Sequence, residues 1–131
     1  MDIYSENILD HYQNPKNKGK IKNPSSSAED FNPSCGDKIH MDVLINKDGV
    51  VEDIKFDGSG CAISQASASM LTEMVIGKKI EDVRKMEKKE LLDTLGITLG
   101  VVRLKCALLP FKVLKLTIYS YLGKTLEEQI Y

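Results

Sequence analysis

A chain of 131 residues, 42% apolar and 28% charged, is long enough for one hydrophobic core and ordinary for a soluble globular protein. A formal net charge of −1 gives no electrostatic footprint for a nucleic acid. The opening MDIYSENILD has neither a basic n-region nor an apolar h-region, and no charge-free apolar stretch approaches the ~20 residues of a membrane span. The expectation is a cytoplasmic protein that binds neither nucleic acid nor membrane, folded as a single domain over residues 1–131.

In chain order, DIYSENILDHYQ (2–13) reads as a short amphipathic helix, with Tyr4, Ile8 and His11/Tyr12 on one face and Asp2 as its cap. NPKNKGK ends it with turn chemistry. KNPSSSAEDFNPS (22–34) has almost no apolar periodicity and reads as a loop leading to Cys35. KIHMDVLI (38–45) alternates, with Ile39, Met41, Val43 and Ile45 on one face and Lys38, His40 and Asp42 on the other. NKDG is a hairpin turn, and VVEDIKF (50–56) returns as its partner strand, burying Val50, Ile54 and Phe56 but leaving Glu52 out of phase. A third short strand is expected to run into Cys61.

Beyond Cys61 the period becomes helical. SQASASMLTEMVIGK (64–78) places Met70, Leu71, Met74 and Val75 on one face, with Ser64 as N-cap and Gly77 past the end. A short helix and a second over 87–95, closed by Gly96, follow, and RKMEKKE reads as a solvated face. Apolar positions 107, 111, 114, 118 and 121/122 predict a helix beginning near Cys106, with Pro110 in its first turn, although LKLTIYSYL alternates well enough for a strand. Helix, antiparallel strands, then helices is an α+β plan.

Chemistry concentrates at three cysteines, an odd number that argues against a disulfide framework and leaves buried thiols as the plain reading. Their surroundings argue otherwise. In NPSCGD, Cys35 and Asp37 flank Gly36, so that a thiolate and a carboxylate can converge on one atom, as zinc or iron requires. GSGCAIS sets Cys61 at a strand-to-helix corner between glycines and small residues. RLKCALLPF sets Cys106 behind Arg103 and Lys105 at an expected helix start, and both cations and a helix N-terminus favour thiolate over thiol. Single ligands from three separate segments differ from the paired C-x-x-C knuckles of structural zinc and suit a site able to release its contents. Of the two histidines, His40 falls on the polar strand face and reads as solvated, and His11 reads as a packing or interface residue.

NPSCGD, GSGCAISQASASMLTE and RLKCALLPFK resemble the three cysteine motifs of the IscU/SufU (NifU N-terminal-like) family of iron–sulfur assembly scaffolds, and YSENILDHYQNPKNKG resembles that family's opening helix. CAISQASASM and RLKCA stand closer to the SufU branch. The resemblance implies a compact α+β fold of the SufE/NifU-like kind: three antiparallel strands packed on helices, with Cys35, Asp37, Cys61 and Cys106 clustered as ligands at one end. It implies a scaffold that accepts sulfur from a cysteine desulfurase (SufS, IscS or NifS type), assembles a 2Fe–2S-type cluster as transient cargo and passes it to recipient apo-proteins, without turning over a small substrate alone. The alternative it implies is a zinc-bound sulfur-transfer partner of a SufS-type desulfurase, with zinc in the isolated protein. Cys35 is the implied persulfide acceptor on SufU-like motifs, and Cys106 the alternative. Lys105 stands where the IscU branch has histidine, which favours Asp37 as fourth ligand because a lysine amine is protonated at neutral pH. LGVVRLKC lacks the proline pair read by the dedicated Hsp70-type chaperone, which argues against that partner. The insertion many SufU proteins carry before their last cysteine motif is also missing.

Overall fold

A computed structural model describes residues 6–33, 36–96 and 98–130, with side chains through 123. Helix α1 (Glu6–Gln13) buries Ile8 and His11 while Tyr12 stays exposed; Asp2 and Tyr4 lie outside the described residues. Three strands follow, β1 (Ser26–Asn32), β2 (Asp37–Ile45) and β3 (Val51–Ser59), in one antiparallel sheet of order β1-β2-β3. The α+β expectation and the three-stranded sheet both hold.

The third strand, however, is not a segment running into Cys61. It is β1, inside the stretch read as a loop. Ser26 and Asn32 take inward positions there, so the strand lacks the apolar alternation that marks β2. Pairing holds it in place: each of its residues faces a β2 partner, from Ser26↔Val43 to Asn32↔Asp37. The Lys112 ammonium of the last helix, 2.7 Å from Asp30 Oδ2, adds a tether.

Glu52 also finds its explanation. The β2–β3 register steps from Leu44↔Asp53 to Ile45↔Val51, leaving Glu52 unmatched as a bulge. The extra residue shifts the phase, so that Val51 rather than Val50 is fully buried while Glu52 points to solvent. The outer edge of β3 is covered at both ends. Gly19 N–H donates to Phe56 O and Phe56 N–H to Asn17 O; Val51 N–H donates to Lys78 O and Gly77 N–H to Val51 O.

Helix α2 (Ala62–Val75) lies at the centre, packed against α1, β3 and the two later helices α4 (Lys88–Leu95) and α5 (Val101–Ile130). It starts at Ala62 with Cys61 as N-cap, three residues before the expected Ser64, which instead turns its hydroxyl back to Cys61 O (3.1 Å) inside the helix. Neighbours on every side explain its small residues, which let other backbones approach. Its buried hydroxyls are hydrogen-bonded: Ser67 to Ala107 O at 2.6 Å, Thr72 to Ser69 O at 2.7 Å, and Ser69 to His11 and Lys16 N–H, both at 2.7 Å. Met70, Leu71 and Val75 join the core with Ile39, Met41, Ile54 and Phe56, and a fully buried side chain of this kind contributes about 1.5–3 kcal/mol.

Helix α3 (Ile80–Lys85) and α4 follow as expected, α4 opening on a Glu87/Glu90 capping box and closing on Gly96 at φ 71°. α5 departs from expectation. It is a helix throughout, with no strand over LKLTIYSYL, and it begins at Val101, so Cys106 lies beyond its first turn and Pro110 in its interior. Val101 and Val102 are exposed and carry no amphipathic signal, which hid this start. Lys115 of α5 donates to Val83 O (2.9 Å) and Arg84 O (2.5 Å), fastening the end of α3. None of the described helices is long and apolar enough to cross a membrane.

Candidate metal centre

The β1–β2 hairpin, the exit of β3 and the early turns of α5 meet at one end of the sheet. The register Asn32↔Asp37 closes the hairpin, and Lys38↔Ser59 carries the end of β3 alongside it. Asp37 is thus the first residue of β2 and 0% exposed. Its Oδ1 accepts the Cys61 backbone N–H at 2.8 Å, and its Oδ2 lies 3.8 Å from Cys61 Sγ. Cys106 comes in from α5 with only 3% of its surface exposed. One ligand atom from each of Asp37, Cys61 and Cys106 lies within 4.8 Å of the others.

Three of the four expected ligand positions are therefore brought together. The fourth, Cys35, lies outside the described residues; in sequence it is two positions before Asp37. Gly36 has φ 71° and donates its N–H to Asn32 O at 2.8 Å. Cys106 is not at a helix N-terminus, so the electrostatic activation expected of that position is weaker than the sequence suggests. Lys105 lies on the rim, lining an apolar cavity of about 440 Å³ between β1 and α5.

The bare backbone beside Cys61 has a steric cause. Gly60 has φ 149°, and a Cβ there would overlap the Asp37 carboxylate and the Ser64 hydroxyl. At Gly58, φ 150°, a Cβ would run into the Lys38 carbonyl. The glycines let β3 leave the sheet hard against Asp37, so that the next residue can present both its N–H and its sulfur to one carboxylate. This packing role for Gly60 and Ser64 was hidden in sequence; the run of small residues was the only signal.

The electrostatics point toward a cation. Asp37 is a fully buried carboxylate, and no ion pair among the described residues meets it. A buried carboxylate is costly unless paired or bound to metal. An oxygen and two sulfurs within 4.8 Å form a donor set suited to zinc or iron.

The histidines lie elsewhere. His11 packs between α1 and α2, with Nδ1 2.7 Å from Ser69 Oγ and Nε2 3.5 Å from Glu73. His40 is partly shielded rather than freely solvated, with Nε2 2.8 Å from Asp42 Oδ1 and Nδ1 3.7 Å from Glu29. Asp42 is itself buried on the face read as polar. Burial pushes its carboxyl up, but hydrogen bonds from Ser27, the Ile21 N–H and His40 outweigh that and hold it below its ordinary value.

A family model described as the NifU-like N terminal domain matches residues 3–128. The zinc-dependent sulfurtransferase SufU of Bacillus subtilis (strain 168) is 40% identical over 130 residues, covering 86% of this chain and 87% of that protein. The iron-sulfur cluster assembly scaffold protein IscU 1 of Archaeoglobus fulgidus is 38% identical over 122 residues, covering 93% of this chain and 78% of its own. Among solved structures, a putative iron-sulfur cluster assembly scaffold protein for the SUF system from Fervidobacterium islandicum AW-1 matches with a TM-score of 0.74 at 32% identity, over 88% of this chain and 96% of that one. The N-terminal part of a NifU-like protein from Brucella abortus matches with a TM-score of 0.77 over 93% of this chain and 96% of its own; at 23% identity it speaks for the fold alone.

Proposed function

Because this chain belongs to the family of NifU-like N-terminal domains, which includes the IscU and SufU proteins, we propose that it is an iron–sulfur cluster assembly scaffold whose ligands are Cys35, Asp37, Cys61 and Cys106. The observation that carries the reading is the Asp37 carboxylate, wholly buried without a cationic partner among the described residues and held beside two cysteine sulfurs. Structural zinc would be served better by four soft thiolates. A hard oxygen among soft sulfurs holds iron less tenaciously, which suits cargo that must leave again.

Sulfur arrives as the persulfide of a cysteine desulfurase. A thiolate of this chain attacks the terminal sulfur; a new S–S bond forms, the desulfurase S–S bond breaks, and the desulfurase cysteine departs as thiolate. Cys35 is the proposed acceptor. In sequence it lies between Pro33 and Gly36, which takes a positive φ of 71°, whereas Cys106 is buried in helix α5 and is the alternative. Asp37 anchors the Cys61 backbone meanwhile, so the other ligands keep their places. Each delivered sulfur becomes cluster sulfide only on taking up two electrons, which excess external thiol would supply, itself oxidised to disulfide; recipient apo-proteins then take the finished cluster. As zinc fits the same donors, the isolated protein is expected to carry about one zinc per chain.

The similarity to SufU supports a second reading, in which zinc stays bound and only sulfur passes through. Anaerobic incubation with iron, cysteine and a desulfurase separates the two. The scaffold reading expects a visible sulfide-to-iron absorption band, with iron and acid-labile sulfide bound. Retained zinc, a protein persulfide and no visible band would replace it with the transfer reading. Cys35→Ser and Cys106→Ser variants, followed by peptide mass spectrometry, locate the persulfide; its survival in Cys35→Ser alone would move the acceptor to Cys106.

A further inference from the structure

Gln65 lies one helical turn after Cys61, its backbone N–H donating to Cys61 O at 3.2 Å. Its side chain is only 7% exposed, and its Nε2 is buried with no hydrogen-bond partner. The neighbouring hydroxyls of α2 at Ser64, Ser67, Ser69 and Thr72 are all engaged. Leaving a buried amide donor unpaired costs about 1–3 kcal/mol, so an orphan at this place calls for a reason.

Direction supplies one. Residues four apart share a helix face, and long side chains in a helix lean back toward its N-terminus. For a residue at position 65 this general lean favours the end of the helix that carries Cys61, its N-cap. The Asp37 carboxylate accepts the Cys61 N–H and lies 3.8 Å from the Cys61 thiol, and neither contact uses the Gln65 side chain. A neutral thiol is a weak acceptor, whereas a metal-bound thiolate carries negative charge and accepts readily.

We propose that the Gln65 side-chain amide is a positioning residue that donates a hydrogen bond to the Cys61 sulfur when a metal is bound. The inference rests on the reading of Cys61 as a metal ligand. In the metal-free chain the donor waits unpaired; binding turns the sulfur into its partner. Gln65 would then hold the Cys61 ligand in place and lower the energy of the sulfur lone pairs that donate to the metal.

The test compares the full chain with Gln65→Leu, and with Gln65→Met as a second replacement of similar volume. In the cobalt(II)-loaded proteins the sulfur-to-cobalt charge-transfer band should move to lower energy in both variants. Zinc should be lost to a chelator about three to ten times faster, the range expected for one hydrogen bond. Metal-free stability should stay equal or rise, since an orphan amide has been replaced by apolar atoms. In the wild-type NMR spectrum, zinc should shift the Gln65 side-chain amide resonances and leave those of the exposed Gln13 in place. Unchanged band, chelation rate and Gln65 resonances in proteins that do bind cobalt and zinc would overturn the proposal while leaving the metal site standing. A wild-type chain that binds neither metal would remove the underlying reading and this inference with it.

Discussion

Asp37 Oδ1 accepts the backbone N–H of Cys61 over 2.8 Å, tying the first residue of β2 to the N-cap of α2 across 24 positions of sequence. The same carboxylate is buried with no cation paired to it among the described residues, the arrangement in which a charge is costly and a bound metal most rewarding. Asp37→Asn keeps an oxygen to accept the N–H and removes the charge. Metal-free Asp37→Asn should therefore be more stable than wild type by about 1–2 kcal/mol, while the extra stability conferred by zinc should shrink. Denaturant titrations with chelator and with zinc measure both; a less stable metal-free variant would show that the charge is already compensated.

Gly60→Ala should damage the metal centre directly. The new Cβ overlaps Asp37 and Ser64 at a backbone φ of 149° that side-chain-bearing residues rarely adopt. A loss of about 2 kcal/mol or more is expected, together with weaker zinc binding, because relief requires Asp37 or Cys61 to move. Thermal melts and competition with a chromophoric chelator test it. Normal zinc affinity in a folded Gly60→Ala protein would show that the approach has slack.

Acid should act through Asp42. Its carboxyl is held below its ordinary value, so its contribution is full above the unfolded-chain pKa of about 3.9 and is lost as pH falls through the lower folded value. The stability gap between wild type and Asp42→Asn should be constant near neutrality and close as the solution is taken below about pH 4. Denaturation series across that range decide it; a gap that does not narrow would point to shape rather than charge.

Lys115→Met should loosen α3. The ammonium donates to two carbonyls at the end of that helix and lies 5.2 Å from the Phe111 ring centroid, and methionine keeps the apolar stem alone. The cost should be about 1–3 kcal/mol, with faster amide hydrogen exchange concentrated in residues 80–85. Uniform exchange across the chain would deny the local role.

Where the sequence was legible, period carried the information. Ile39, Met41, Val43 and Ile45 announce β2, and Glu87 with Gly96 marks both ends of α4. β1 was hidden because its inward positions include Ser26 and Asn32, so its place depends on pairing with β2 across the hairpin. Glu52 was visible as an anomaly but not as a bulge, since a bulge is defined by two strands together. The metal-centre residues were named by motif, and the fold brings Asp37, Cys61 and Cys106 to within 4.8 Å. The Cys61 N–H to Asp37 bond and the unpaired Gln65 amide were not legible, because burial and orientation belong to the packed molecule rather than to residue spacing.

The two borders of the sheet differ, and the difference limits how copies of this chain can associate. β3 is sealed at both ends by backbone from 17–19 and 77–78, which leaves β1 as the sole open border of the sheet among the described residues. Endless strand-on-strand stacking needs two open borders per molecule. With one, two copies that meet strand to strand satisfy each other about a twofold axis and stop. By this route the fold favours a closed pair over a fibre, and any such pair would run β1 of one copy along β1 of the other.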